Sequence, residues 1–250
     1  MTLFHSFDQD KQAVLNPEDI TGEVPGFPQI VVVTFKQQIL EIVLGNFEHE
    51  KISGMDLGGE VPIYKINYLG KPLAFYKTVM GAAGAVSLME EAIAMGGRKF
   101  IFFGSCGTLN ASIDAGNLIV PTAAFRDEGT SYHYMEPGDY IEIETAKITA
   151  GILKQLGLDF IETKTWTTDG LYRETRRNMN HRISEGCKVV DMECSAFMAA
   201  AKFRGVEAYQ YLYAEDNLDE LQWNPRTLGK VPKSTSEMYL KVALEIAVRV

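Results

Sequence analysis

Residues 99–110 read KFIFFGSCGTLN, in which the apolar run Phe100 to Phe103 passes directly into Gly104-Ser105-Cys106-Gly107. A short apolar segment closed by glycines reads as a buried strand that ends as it leaves a sheet. Glycines there permit positive φ and close backbone approach, and Ser105 supplies a hydroxyl donor. The segment therefore fits a loop that cradles an oxyanion, although taken alone it reads more readily as a plain tight turn. No basic residue stands between Lys99 and Arg126, so an anion held here would lack a local cation.

Outward from this point, strand-like and helix-like segments alternate. Strand candidates are residues 29–35, 99–103, 117–125, 159–169, 188–192 and 207–216, with a hairpin in 61–81 turning at Gly70-Lys71-Pro72. Between them, residues 36–47, 83–97, 145–157, 174–186, 193–205 and 236–250 carry helical spacing or charge. Gly96-Gly97 and Gly205 stand where helices stop, and Ser234 or Ser236 suits the N-cap of the last helix. Such alternation predicts an α/β fold of layered elements. With no repeat, linker or low-complexity tract, residues 1–250 read as one domain.

A net charge of −9 and no basic run longer than Arg176-Arg177 argue against nucleic acid as partner. No stretch of about 18 apolar residues is present to span a membrane. The opening MTLFHSFDQD has neither the basic nor the apolar region of a signal peptide, so the expected location is cytoplasmic. Three cysteines, none in a CxxC or beside histidines, fit small buried residues and predict no metal site.

Polar residues gather at three predicted strand ends, the place where α/β sheets collect ligands. These are Gly104–Gly107, then Asp191-Met192-Glu193, then Glu215-Asp216-Asn217. Taken singly, each has a structural explanation: a turn, a helix cap, a pair of solvated acids.

Taken together they resemble the nucleoside phosphorylase family, which includes purine nucleoside phosphorylases, uridine phosphorylases and methylthioadenosine nucleosidases. Residues 104–134 (GSCGTLNASIDAGNLIVPTAAFRDEGTSYHY) are similar to the family's phosphate loop, the strand after it and its Ser/His-Tyr turn. Residues 189–205 (VVDMECSAFMAAAKFRG) resemble its most specific motif, a Met-Glu pair opening a helix. LFHSFD at residues 3–8 resembles a Phe-His segment, and YAEDNLD at 213–219 stands where purine-specific members carry Ser-Asp.

The resemblance implies a three-layer αβα fold with a central mixed sheet, and cleavage of the N-glycosidic bond of a purine-leaning nucleoside. It implies that Glu193 accepts hydrogen bonds from the ribose 2′- and 3′-hydroxyls, with Met192 against the sugar face. His5 would reach the 5′-hydroxyl of a neighbouring subunit's site, which requires a dimer or hexamer. Asp216 would protonate the departing base, although a free Asp carboxyl, with pKa about 3.9, is a poor acid at neutral pH. Arg226 would be a mobile cation brought toward it, and Leu171 and Tyr172 would line the base pocket. Ser105 and Gly104 would face inorganic phosphate as co-substrate, with no other cofactor.

Three departures concern the attacking group. Phosphorolytic relatives carry an arginine where this chain has Phe102, another near residues 33–38, and a third from a neighbour around residues 55–64; none is matched. Lys36, Arg126 and Arg98 are the candidate replacements. Nucleosidases of the family also lack these arginines and use water, but their Met-Glu-Glu-Glu start is absent from residues 31–40. The reading is thus phosphorolysis, with hydrolysis as the alternative and a non-catalytic nucleoside-binding or storage protein as the second alternative. The uracil-reading Gln-x-Arg pair is not clearly present, Thr175 and Arg177 falling near it, and Asp216 favours a purine.

Overall fold

The computed structural model describes residue 4 and residues 6–250; His5 lies outside the described residues. In chain order the elements are α1 (Pro17–Ile20), β1 (Ile30–Thr34), α2 (Gln37–Asn46), β2 (His49–Asp56), β3 (Glu60–Tyr68) and β4 (Lys71–Lys77). There follow α3 (Ala82–Met95), β5 (Lys99–Thr108), β6 (Leu118–Asp127), β7 (Tyr140–Glu142), α4 (Ala146–Gln155) and β8 (Phe160–Thr168). The last part holds α5 (Arg176–Ser184), β9 (Cys187–Asp191), α6 (Cys194–Arg204), β10 (Glu207–Asn217) and α7 (Lys233–Ala247).

All ten strands of the described residues join one mixed sheet, sandwiched by helices in the expected three-layer αβα arrangement. Its path runs β10-β6-β8-β9-β5-β1-β4-β3-β2, and β10 also pairs with β5. Those five strands therefore close a ring, β5-β10-β6-β8-β9, from which β1, β4, β3 and β2 extend as an open sheet.

The two parts meet along β5. Its first half pairs with β1 from Lys99 to Phe103, and its end pairs with β9 at Gly107 and Thr108. Between them, Gly104-Ser105-Cys106 keeps its ladder to β10 alone and has an unpaired edge on the other side. That edge is a strand split, the kind of topological switch point at which parallel sheets open a crevice.

The segment expected to leave the sheet as a loop therefore stays in it. Its glycines are required by close approach, not by positive φ. A Cβ on Gly104 would stand 2.8 Å from Phe35 Cδ2, and one on Gly107 would stand 2.6 Å from Leu218 Cδ1.

Phe102 lies on the core side of β5, fully buried and stacked on Phe197 of α6, with ring centroids 3.7 Å apart. Burying such a ring contributes about 1.5–3 kcal/mol. At the position where the resemblance implies an arginine, this chain has a packing residue.

Three elements were absent from the sequence reading: the four-residue α1, the three-residue β7 and the edge strand β2. The β2 burial alternates poorly, with only Met55 buried, so no period-2 signal marks it. The β3–β4 turn is Leu69-Gly70, both at positive φ, one residue earlier than expected. The last helix starts at Lys233 with no side-chain cap. Ser236 lies inside it, buried, donating its hydroxyl to Gln38 Oε1 at 2.6 Å.

Candidate active site

The split in β5 opens into a cavity of about 340 Å³. Four chain segments supply its walls: Phe35 and Lys36 after β1, Gly104–Gly107 of β5, Asp191-Met192-Glu193 after β9, and Asp216 with Leu218 from β10. Leu171 and Glu174 close the outer side. Beyond them lies a cleft of about 590 Å³ that shares Leu171, Glu174, Asp216, Leu218 and Leu228, and adds Tyr172, Arg176 and Trp223. A wider depression of about 680 Å³ along β2 includes none of these strand-end residues.

Asp191 organises the wall that carries Met192 and Glu193. Its Oδ1 accepts from the hydroxyls of Thr165 and Thr167, each at 2.8 Å. Its Oδ2 accepts from the backbone N–H groups of Glu193 and Cys194, at 2.9 and 2.6 Å, which caps α6. Burial pushes the Asp191 carboxyl up, and these four donors oppose that push.

With the helix start fixed, Glu193 projects into the cavity and accepts from the backbone N–H of Gly81 at 2.6 Å. Burial and the Asp191 charge push its carboxyl up to about 8. Any donor from a ligand would favour its ionised form.

The opposite wall carries the unexpected feature. β10 bulges between Ala214 and Asp216, so Glu215 has no register partner on β5. Glu215 is fully buried behind the cavity, ion-paired through Oε1 to Lys36 Nζ. Its Oε2 has no hydrogen-bond partner among the described residues. Burial raises the Glu215 carboxyl, the Asp216 charge adds to this, and Lys36 and the nearby Ser105 hydroxyl oppose it.

Of the three candidate replacement cations, only Lys36 reaches the cavity. Arg126 is buried in the 126–136 turn, donating to Ser131 Oγ and to the carbonyl of Glu136, at 2.9 and 2.7 Å. Arg98 sits at the opposite end of β5 and donates to the carbonyls of Ile93 and Gly97.

Among the expected site residues, Ser105, Gly104, Met192, Glu193, Asp216 and Leu171 line the one cavity. Tyr172 is 93% exposed and borders the outer cleft. Arg226, at φ +41°, donates to the Ile113 carbonyl at 2.6 Å and lines neither space. Asp216 instead accepts from Trp223 Nε1 at 2.7 Å. Sequence reasoning missed Glu174 and Trp223, whose roles depend on contacts with residues distant from them in the chain. Cys106 faces the cavity as an inert thiol, because burial and three neighbouring carboxylates push it well up. No group of three or more His, Cys, Asp or Glu among the described residues could hold a metal ion. Nor is any described helix long and apolar enough to cross a membrane.

This arrangement, a strand split walled by Gly-Ser-Cys-Gly and a Met-Glu helix start, coincides with a family-model match. The model of the phosphorylase superfamily matches residues 29–249, and the chain belongs to that family. It is similar to an uncharacterised protein of Acanthamoeba polyphaga mimivirus, 28% identical over 141 residues, which are 56% of this chain and 55% of that one. The match thus spans about half the length of that relative. A guanosine phosphorylase of Halorubrum lacusprofundi is 25% identical over 162 residues, covering 64% of this chain and 67% of the relative. The fold matches the crystal structure of a uridine phosphorylase from Vibrio fischeri with a TM-score of 0.76, at 19% identity, over 96% of this chain and 100% of that one.

Proposed function

We propose that this chain cleaves the N-glycosidic bond of a nucleoside, purine-leaning, transferring the sugar to phosphate. The observation that carries the reading is the placement of Glu193 and Asp216 on different walls of one nucleoside-sized cavity, with Ser105 and Lys36 between them at the strand split. In this reading Glu193 takes the sugar hydroxyls and Met192 packs on the sugar. Asp216 faces the base, and Lys36 with Ser105 meets the phosphate. The C1′–N bond breaks as positive charge grows on the sugar, and the Glu193 carboxylate stabilises that charge.

A second reading, hydrolysis, is favoured by the Lys36–Glu215 ion pair. That pair engages Lys36, the one cation lining the cavity among the described residues, with a buried carboxylate, while Asp191 and Asp216 stand on the other walls with Glu174 and Glu193 beside them. A phosphate dianion brought beside them is opposed unless a further cation arrives, and water is not. Release of base from inosine, guanosine, adenosine, uridine and methylthioadenosine, measured with and without phosphate, decides between the two. Turnover that rises with phosphate supports phosphorolysis; equal turnover without it supports hydrolysis. No release from any nucleoside under either condition would sink both.

A further inference from the structure

The base-facing end of the cavity contains two carboxyls. Glu174 follows the short turn Leu171–Arg173, and Asp216 ends the bulged strand β10; both border the inner cavity and the outer cleft. They stand at the junction where a nucleobase would bridge the two spaces. Their surroundings differ. Asp216 accepts from the Trp223 indole at 2.7 Å, which ties one carboxylate oxygen to a donor. Glu174 is half-buried at the cap of its turn.

We propose that Glu174 is the proton donor to the departing base, and that Asp216, held by the Trp223 indole, is its neighbouring partner. The inference rests on the nucleoside-cleaving reading above.

The chemistry balances as follows. The C1′–N bond breaks and its electron pair passes into the base. The Glu174 proton moves to a ring nitrogen of that base, leaving Glu174 as a carboxylate. Phosphate or water forms the new C1′–O bond and releases its proton to solvent, and solvent reprotonates Glu174.

Charge favours this division of labour. Burial and the Asp216 charge push the Glu174 carboxyl up to about 7, with no cation or hydrogen bond opposing them. An acid in that range exists in both forms near neutral pH, as a reusable proton donor must. Among the described residues, the other charged or titratable groups bordering these spaces are Lys36, Cys106, Asp191 and Glu193 around the inner cavity, with Tyr172 and Arg176 in the cleft. Lys36 is committed to Glu215. Arg176 is turned away, donating to the Leu218 and Glu220 carbonyls at 3.0 and 2.5 Å.

The test compares inosine with 7-methylguanosine, whose ring already carries positive charge and needs no proton to leave. In Glu174→Gln, kcat on inosine should fall about 100-fold or more, within the range of acid–base catalysis. On 7-methylguanosine it should change less than about threefold, because no proton transfer remains to be lost. The alkaline limb of the inosine pH profile, near pH 7 in the parent, should vanish in the variant. An equal loss on both substrates, or no loss on inosine, overturns the inference while leaving nucleoside cleavage intact. A parent inactive on both overturns the reading beneath it as well. Carbon-13 NMR of the Glu174 carboxyl gives a readout independent of turnover: its midpoint should lie near 7 and drop in Asp216→Asn. A midpoint near 4.5 in the parent refutes the proposal.

Discussion

Asp191 and Glu215 are both buried carboxylates at strand ends of one sheet, and their surroundings are opposite. Asp191 receives four donors, two hydroxyls and two backbone N–H groups, and so holds a helix start in place. Glu215 receives one lysine and leaves an oxygen unpartnered. The well-satisfied acid builds the wall that presents Glu193, while the under-satisfied one is ion-paired to Lys36, the only cation lining the cavity among the described residues. Full satisfaction marks scaffolding here, and a deficit marks the wall proposed to meet the attacking group.

The strongest break of this contrast is Asp191→Ala. It strands two buried hydroxyls and two helix N–H groups, and should cost about 3–5 kcal/mol, the scale of a broken buried network. Urea unfolding reads this directly; a loss under about 1 kcal/mol would show that α6 does not depend on the cap. Next comes Lys36→Met, which leaves Glu215 buried without its ion pair. A loss of about 3 kcal/mol is expected, with most of it recovered in the double variant Lys36→Met, Glu215→Gln. If the double variant is no more stable than the single one, the pair is not what holds Glu215 charged.

Glu193→Gln should lower kcat/KM by roughly 10- to 150-fold, the equivalent of about 1.5–3 kcal/mol for hydrogen bonds to a charged group. The fold itself should survive, since Asp191 and not Glu193 caps the helix. The same variant also tests stability against pH. The Glu193 carboxyl lies at about 8 in the folded chain against 4.5 for a free one, so the folded state holds the proton more tightly. Its contribution is present in full below about pH 4.5 and is lost as pH rises through about 8. Relative to the parent, Glu193→Gln should therefore gain stability between pH 5 and pH 9; a constant difference across that range would contradict the raised carboxyl.

Much of the scaffold was legible in sequence because its signals are local. The apolar runs of β1 and β5, the glycine stop at Gly205 and the Asp191-Met192-Glu193 helix start each announce themselves within a few residues. The site was legible where one strand end carries its own chemistry, as at Ser105 and Asp216. What could not be read depends on distant pairing. The β5 split needs β1 and β9 as neighbours, and the β10 bulge is visible only against β5. The Lys36–Glu215 pair joins residues 179 positions apart. Phe102 is the instructive middle case: its identity shows a missing arginine, and only Phe197 shows why an aromatic ring belongs there.

The closed ring of β5, β10, β6, β8 and β9 has one more consequence. Each of those strands has a hydrogen-bonded neighbour on both sides, whereas β2 at the open end has a neighbour on one side only. Backbone amides in the ring should therefore exchange with deuterium last, through cooperative opening of the whole unit, and those of β2 first, through fraying. The cavity sits on the boundary between the two. Ser105 belongs to the ring and Lys36 to the open sheet, so a bound anion bridging them would tie the two parts together across the split and slow exchange there.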